Sequence, residues 1–265
     1  MIPYLTSDSQ KFIAEEIFTK GIRSNARITP PGNKVKINLA DGESIRRKLL
    51  DLYLEDGDES LGYKVGFTSQ AVQKSQGINE PEFGFLTKSM KLTNQNQIPI
   101  LGTATILVEP EICFELAEGF DGNEVSVEEV LARTSKIYLA LEFVESRVGL
   151  SSGINNVVAD NVGASRILIS EPGFAPDEFD FEETEVTLKV DDQDYKAKVS
   201  DVLGNPANSV VWLNNRLSKL SQFWGQLKKN NLIMTGSPIK PIPLEKGSTI
   251  KAAWGTMGKI EVEMV

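Results

Sequence analysis

Residues 137–144 read IYLALEFV, an apolar run interrupted once, by Glu142. Such a run reads as a buried strand. Just upstream, VEPEICFEL at 108–116 alternates instead. Val108, Pro110, Ile112, Phe114 and Leu116 share one face of a strand, and Glu109, Glu111, Cys113 and Glu115 share the other. Periodicity alone assigns the glutamate face to water, the ordinary place for Glu. Pro110 cannot donate to a ladder, so it points to an edge or a bulge.

The rest of the chain surrounds these two strands with similar material. Strands are expected over 62–67, 104–117, 136–145, 164–169, 184–199, 231–235 and 248–264, with Gly and Pro between them. Two helices interrupt them. SVEEVLART opens with a capping box from Ser126 to Glu129. NPANSVVWLNNRLSKL has Asn205 as cap, Pro206 at the first helical position, and Val210, Leu213, Leu217 and Leu220 on one face. Two further helices come first. One spans 8–20, capped by Ser7 or Asp8 with Phe12, Ile13 and Ile17 at helical spacing; the other is ESIRRKLLDLYLEDG. Without a regular strand–helix alternation, the fold class is α+β: a small helical N-terminal part, residues 1–60, and a mixed or antiparallel β body, residues 61–265.

Composition narrows the function. The formal net charge of −9 and the lack of any Lys/Arg-rich run argue against a nucleic-acid partner. No apolar stretch approaches the ~20 residues that span a bilayer, and MIPYLTSDSQKFIAEEIF has no basic stretch ahead of an apolar core, so neither membrane nor signal peptide is expected. A single cysteine, Cys113, fits a reducing cytoplasm. With no histidine among the 265 residues, a Ser-His-Asp triad, a His-ligated zinc and a histidine base are all excluded. Acid–base chemistry must then come from Lys, Asp, Glu, Tyr, water or a metal, and oxygen ligands favour a hard cation.

Two charges stand where burial is expected. A lone buried Glu142 costs several kcal/mol unless paired or metal-bound. Lys64, flanked by Gly62, Tyr63, Val65 and Gly66, poses the same problem with opposite sign, unless it snorkels from a strand edge. Glu109 and Glu111 stand roughly 7 Å apart along their face. Convergence of Glu109, Glu111 and Glu142 on one divalent cation such as Mg²⁺ would satisfy all three and leave positions for water or a chelating substrate. The TGS segment at 235–237 could offer backbone N–H groups to an anion, although an ordinary turn is its commoner meaning, and ADN at 159–161 could be a turn or a site.

Taken in order, GYKVGFTSQAVQ, GINEPEFGFL, the E-x-E of VEPEICFEL, ALEFVESR, VADN, LGNPANSVVWL and IMTGS resemble the hydratase/decarboxylase branch of the fumarylacetoacetate hydrolase superfamily. The resemblance runs from about residue 40 to the C-terminus. It implies a mixed β-roll of the superfamily's C-terminal type, usually a homo-oligomer, and Mg²⁺ or Mn²⁺ held by Glu109, Glu111 and Glu142. It implies a small 2-oxo or 2-hydroxydienoic acid as partner, bound through carboxylate and 2-oxygen, and water added through a metal-stabilised enolate. Lys64 matches the family lysine. Glu82, in EPEFG, favours water addition over decarboxylation and is the candidate acid/base. Arg147, Asp160, Asn161, Thr235, Gly236 and Ser237 are the implied substrate contacts. The chain departs from the pattern at Gly204-Asn205-Pro206, where His usually stands at the middle position, at Gly163, where Ser is common, and in the bland VGLSSGINN loop. The metal set is intact while the pocket is altered, so a 2-oxo acid decarboxylase, or a homologue that binds without turnover, stand as alternatives.

Overall fold

The computed structural model describes residues 4–93, 96–121 and 124–265. Its strands are β1 (Ser60–Gly66), β2 (Glu82–Thr87), β3 (Lys91–Leu92), β4 (Gln97–Ile98), β5 (Thr105–Leu116), β6 (Thr134–Ser146), β7 (Ala164–Ile169), β8 (Glu185–Val190), β9 (Gln193–Lys198), β10 (Leu232–Met234), β11 (Ile242–Leu244), β12 (Thr249–Trp254) and β13 (Gly258–Met264). They form two sheets. The larger runs β2-β1-β10-β5-β6-β7-β3, with β11 joined to β5; the smaller runs β4-β13-β12-β8-β9. Pairing is mixed: β1 with β10 and β3 with β7 are parallel, β5 with β6 antiparallel. This is the α+β, mixed-β body that the sequence leads one to expect.

Neither face of the larger sheet is wet, and the alternation of β5 divides two cores. Val108, Ile112, Phe114 and Leu116 pack with Leu139, Leu141 and Phe143 of β6, against Val186, Leu188, Ile250 and Trp254 of the smaller sheet. On the opposite face Cys113, Ala140, Ile167 and Met234 meet Ile13, Ile17, Ile45, Leu49 and Tyr53 from the N-terminal helices. The glutamates of β5 share that second face. Helices covering the sheet therefore replace the solvent that periodicity alone would assign to them.

The helices are α1 (Ser7–Glu16), α2 (Leu39–Glu55), α3 (Gln70–Gln76), α4 (Val127–Ala132), α5 (Ile154–Ala159), α6 (Ala207–Lys219) and α7 (Ser221–Trp224). Thr6, not Ser7 or Asp8, caps α1, its hydroxyl accepting from Ser9 N–H at 3.2 Å. The helix widens into a π turn over Ile17–Ile22. α2 starts before the expected ESIRR because Asn38 and Asp41 form a capping box ahead of it. The capping box of α4 is present, and Asn205 accepts from Ala207 N–H at 2.8 Å in front of α6. The strands expected over 184–199 and 248–264 are each a hairpin. β2 was not anticipated: EFGFLT is buried at every position, so it carries no alternation to detect.

Pro110 lies in a central strand rather than at an edge. β10 pairs with 113–115 of β5 and β11 with 106–108, which leaves 109–112 without a partner strand on that side. Ile112 turns its carbonyl into this gap, where Thr235 N–H reaches it at 3.1 Å. Pro110, two residues earlier, aims its nitrogen at the same gap, so no ladder bond is lost. The gap also decides where the site forms.

Candidate functional site

Two adjacent strands bring the acidic groups together. Antiparallel register sets Glu109 directly opposite Glu142, and Glu111 lies two residues along β5 on the same face. One carboxylate oxygen from each of the three lies within 4.8 Å of the others. Lys64 arrives from β1, two strands away, and its Nζ stands 3.2 Å from Glu142 Oε2. Lys64 is 3% exposed, Glu111 2% and Glu142 1%; Glu109 keeps partial access to solvent. Lys64 therefore does not snorkel. Its neighbour across β2 is Gly84, where a Cβ would stand 3.3 Å from Lys64 Cγ and 2.7 Å from the Asn161 carbonyl oxygen, so only glycine leaves both in place.

Electrostatics of the cluster is unbalanced. Burial, and then the charge of Glu142, push the Glu109 carboxyl up to about 8 against the pull of Lys64. Burial raises Glu111 well above the usual carboxylate range, Glu142 and Glu109 add to it, and the Gly236 N–H at 2.8 Å from Oε2 opposes. Burial pulls Lys64 down, but the three glutamates outweigh it and hold the ammonium above its ordinary range. Among the described residues Glu142 Oε1 has no polar partner, and Oε2 meets only the Lys64 ammonium, without an aligned hydrogen bond. An unpartnered oxygen beside two more carboxylates makes a donor set that fits a hard divalent cation, and one lysine does not satisfy it.

A cavity of about 250 Å³ opens from the glutamates through the gap between β10 and β11. Lys64, Glu109 and Glu111 line its inner end, Gly236 and Ser237 one wall, and Val144 and Val162 another. Of the expected substrate contacts, Gly236 and Ser237 face the cavity. Thr235 lies beneath it, fully buried, its hydroxyl donating to the Ile112 carbonyl at 2.8 Å and its carbonyl accepting from Ser209 at 2.7 Å.

The remaining expected residues lie behind the lining. Arg147 Nε donates to Asp160 Oδ1 at 2.7 Å, and its Nη2 to the carbonyls of Asp160 and Ala164 at 3.2 and 3.1 Å. Burial lifts the Asp160 carboxyl to about 6 against the pull of Arg147. Asn161 pairs with the backbone of Phe85 through both ends of its amide, at 2.8 and 3.0 Å, and ties the 160–163 turn to β2. These groups hold Val162, at φ +53°, against the cavity. Gly163 has φ +69°, and a Cβ there would stand 2.7 Å from Val144 Cγ1, so this turn has no room for the serine common in the resembled family. Glu82 shares the Lys64 face of the β1–β2 pair, but its carboxylate stands 3.4 Å from Arg46 Nη1 and does not line the cavity. Burial raises its pKa and Arg46 opposes.

Several lining residues escaped sequence reasoning, among them Phe67, Val72, Ile239 and Lys240. The available signal was position: Phe67 follows the Lys64 strand at a left-handed φ of +57°, and PIKP follows TGS with proline at both 238 and 241.

No family model matches the chain. It is 28% identical over 238 residues to the 2-oxo-hept-4-ene-1,7-dioate hydratase of Escherichia coli, covering 87% of this chain and 88% of that protein. It is 30% identical over 187 residues to a 2-hydroxypent-2,4-dienoate hydratase of Pseudomonas putida, covering 68% of this chain and 83% of that one. Among solved structures, 4-oxalocrotonate decarboxylase from Pseudomonas putida G7, complexed with magnesium and adipate, superposes with a TM-score of 0.91 at 21% identity over 98% of this chain and 99% of that one. Fumarylpyruvate hydrolase from Pseudomonas aeruginosa, in complex with Mn²⁺ and pyruvate, gives 0.59 at 17% identity over 77% and 88%. The fold and the glutamate cluster define an acid-lined, cation-binding type of site in a mixed-β body. The chain belongs to the hydratase/decarboxylase branch of the fumarylacetoacetate hydrolase superfamily.

Proposed function

We propose that the chain is a divalent-cation-dependent hydro-lyase that adds water to a 2-hydroxy-2,4-dienoate through its 2-oxo-enoic form. One observation carries this reading: the carboxylates of Glu109, Glu111 and Glu142 meet at the inner end of a cavity, where one lysine is the counter-charge and Glu142 Oε1 has no polar partner among the described residues. An all-oxygen set favours Mg²⁺ or Mn²⁺, in line with the magnesium and Mn²⁺ of the two solved structures. When bound, the cation supplies Lewis-acid charge to the acid's carboxylate and 2-oxygen.

The chain's own groups do the rest. Glu109, Glu111 and Glu142 hold the cation, and Gly236 N–H fixes the orientation of Glu111. Lys64 holds a proton at Nζ beside Glu142, where it can pass to or from the substrate. Arg147, Asp160 and Asn161 serve as positioning residues that set Val162 and β2; Gly236 and Ser237 form the substrate wall, and Thr235 positions them from beneath. All of the metal-binding and lining residues follow residue 60, which supports a division into a helical part and a catalytic body. Assembly as a homo-oligomer belongs to the same proposal, supported by the exposed Tyr4, Phe12, Leu101 and Phe223. Among the described residues no helix is long and apolar enough to cross a membrane.

The test is direct. Purified protein with Mg²⁺ or Mn²⁺ should consume 2-hydroxypenta-2,4-dienoate or a close homologue, followed as loss of dienol absorbance and abolished by EDTA. Cation binding without turnover of any acid in such a panel would sink the reading. A second reading rests on Glu82. With its carboxylate engaged by Arg46, the expected acid/base for water addition does not reach the cavity in this arrangement. That favours decarboxylation of a vinylogous 2-oxo-diacid, or binding without turnover, and CO₂ release separates the two.

A further inference from the structure

The turn at 161–163 is left-handed at three consecutive residues: φ is +55° at Asn161, +53° at Val162 and +69° at Gly163. Asparagine and glycine enter this region readily, whereas a side chain branched at Cβ is strained there. Among the described residues Val162 is the one β-branched residue with a positive φ. Such strain persists only where the surroundings over-determine it.

Here they do. Asn161 is tied to Phe85 by both ends of its amide, and Gly163 N–H donates to the Asp160 carbonyl at 3.0 Å. The buried Arg147 holds the carboxylate and the carbonyl of Asp160. Gly163 lies against Val144, and Gly84 against the Asn161 carbonyl, so closely that a Cβ on either glycine would stand 2.7 Å away. A turn pinned on every side cannot yield to a ligand.

Val162 is 4% exposed and lines the cavity beside its charged end. Its Cγ1 and Lys64 Nζ flank the space that Gly66 leaves empty: a Cβ there would stand 3.3 Å from the first and 3.4 Å from the second. Lys64 Nζ in turn stands 3.2 Å from Glu142 Oε2. An acid held at the glutamates through its carboxylate and 2-oxygen sends its third carbon out of the chelate, past Lys64 and Val162.

We infer that Val162 is a specificity-determining residue, a rigid filter that admits 2-oxo acids unbranched at the third carbon and excludes those carrying a methyl there. The inference rests on the function proposed above for the glutamate end and adds the residue that limits what fits beside it.

Isothermal titration of the Mn²⁺-loaded protein with 2-oxobutanoate and 3-methyl-2-oxobutanoate isolates the branch, because the two acids differ by one methyl on that carbon. Wild type should bind the unbranched acid at least about tenfold more tightly. Val162→Ala should bring the two within about twofold by strengthening the branched acid, and Val162→Thr, which keeps the branched shape, should preserve the preference. Oxalate has no third carbon and should bind all three proteins within about twofold. Equal affinities of the two acids in wild type, or a preference that survives Val162→Ala, would overturn the inference. So would failure of wild type to bind any of the three acids. Loss of oxalate binding in Val162→Ala would also overturn it, by making the valine a structural support. Binding needs no turnover, so the two proposals fail separately. Discrimination without hydration of any dienoate defeats only the reaction, and hydration with indifference to the branch defeats only the filter.

Discussion

Glu142→Gln separates a cation site from a structural ion pair. With both partners almost fully buried, breaking an ordinary buried pair costs about 3–5 kcal/mol. Glu142 is not in an ordinary pair. At 3.2 Å from Lys64 its attraction is about 5 kcal/mol at an effective dielectric of ~20. Each ionised glutamate neighbour within 4.8 Å repels it by about 3.5 kcal/mol or more on the same scale. Above about pH 8, where Glu109 is ionised, that one charged neighbour cancels most of the attraction, so there the cation-free protein should lose no more than about 2 kcal/mol on substitution, and the melts are compared at such a pH. For a chain of this size that is a shift of at most roughly 8 °C in Tm. The cation-loaded protein behaves differently. Saturation at about 100 times Kd adds about 2.7 kcal/mol, and the variant should lose this increment because one of three carboxylates is gone. Thermal melts in EDTA and in Mn²⁺, for wild type and variant, read both quantities. If Glu142→Gln melts equally far below wild type in EDTA and in Mn²⁺, the carboxylate is structural and the reasoning is wrong.

Two further outcomes follow from the same geometry. The folded-state pKa of Glu109, about 8, lies above its unfolded value, so the cation-free fold binds this proton more tightly than the unfolded chain does. The stability it contributes is fully present below about pH 4.5 and is lost as pH rises through about 8. Cation affinity should accordingly rise with pH up to about 8 and then level, with protons released on binding near pH 7. Titrations in buffers of different ionisation enthalpy count those protons, and none released at pH 7 would contradict the burial argument. Arg147→Met leaves the Asp160 carboxylate buried without its partner and should cost about 3–5 kcal/mol in denaturant unfolding. Cation affinity should fall far less, because Arg147 does not line the cavity; a loss of cation binding with unchanged stability would place it in the site.

Much of this was legible in the chain, and the reasons are local. IYLALEFV reads as a buried strand because its apolar run offers no polar face to water. The capping box at Ser126 and the apolar face of α6 depend only on residues a few positions apart. Other features depended on distant partners. Glu82 is an acid in a recognisable turn, yet Arg46, 36 residues earlier, takes its carboxylate. Arg147 and Asp160 were readable as charged residues of the right type, but their engagement with each other is set by how the 160–163 turn closes on β6.

The alternation of VEPEICFEL determines by itself that Glu109 and Glu111 share a face, since side chains two apart on a strand must. The apolar run likewise establishes that Glu142 needs a partner, since a buried charge without one is too costly. Only the tertiary structure decided what that face meets. Helices from the first 55 residues cover it, and register fixes Glu142 opposite Glu109. β10 and β11 part beside Pro110, so the covered face keeps one opening. Whether a glutamate face lies in water or around a cation depends on what packs over it, and no stretch of sequence contains its own covering.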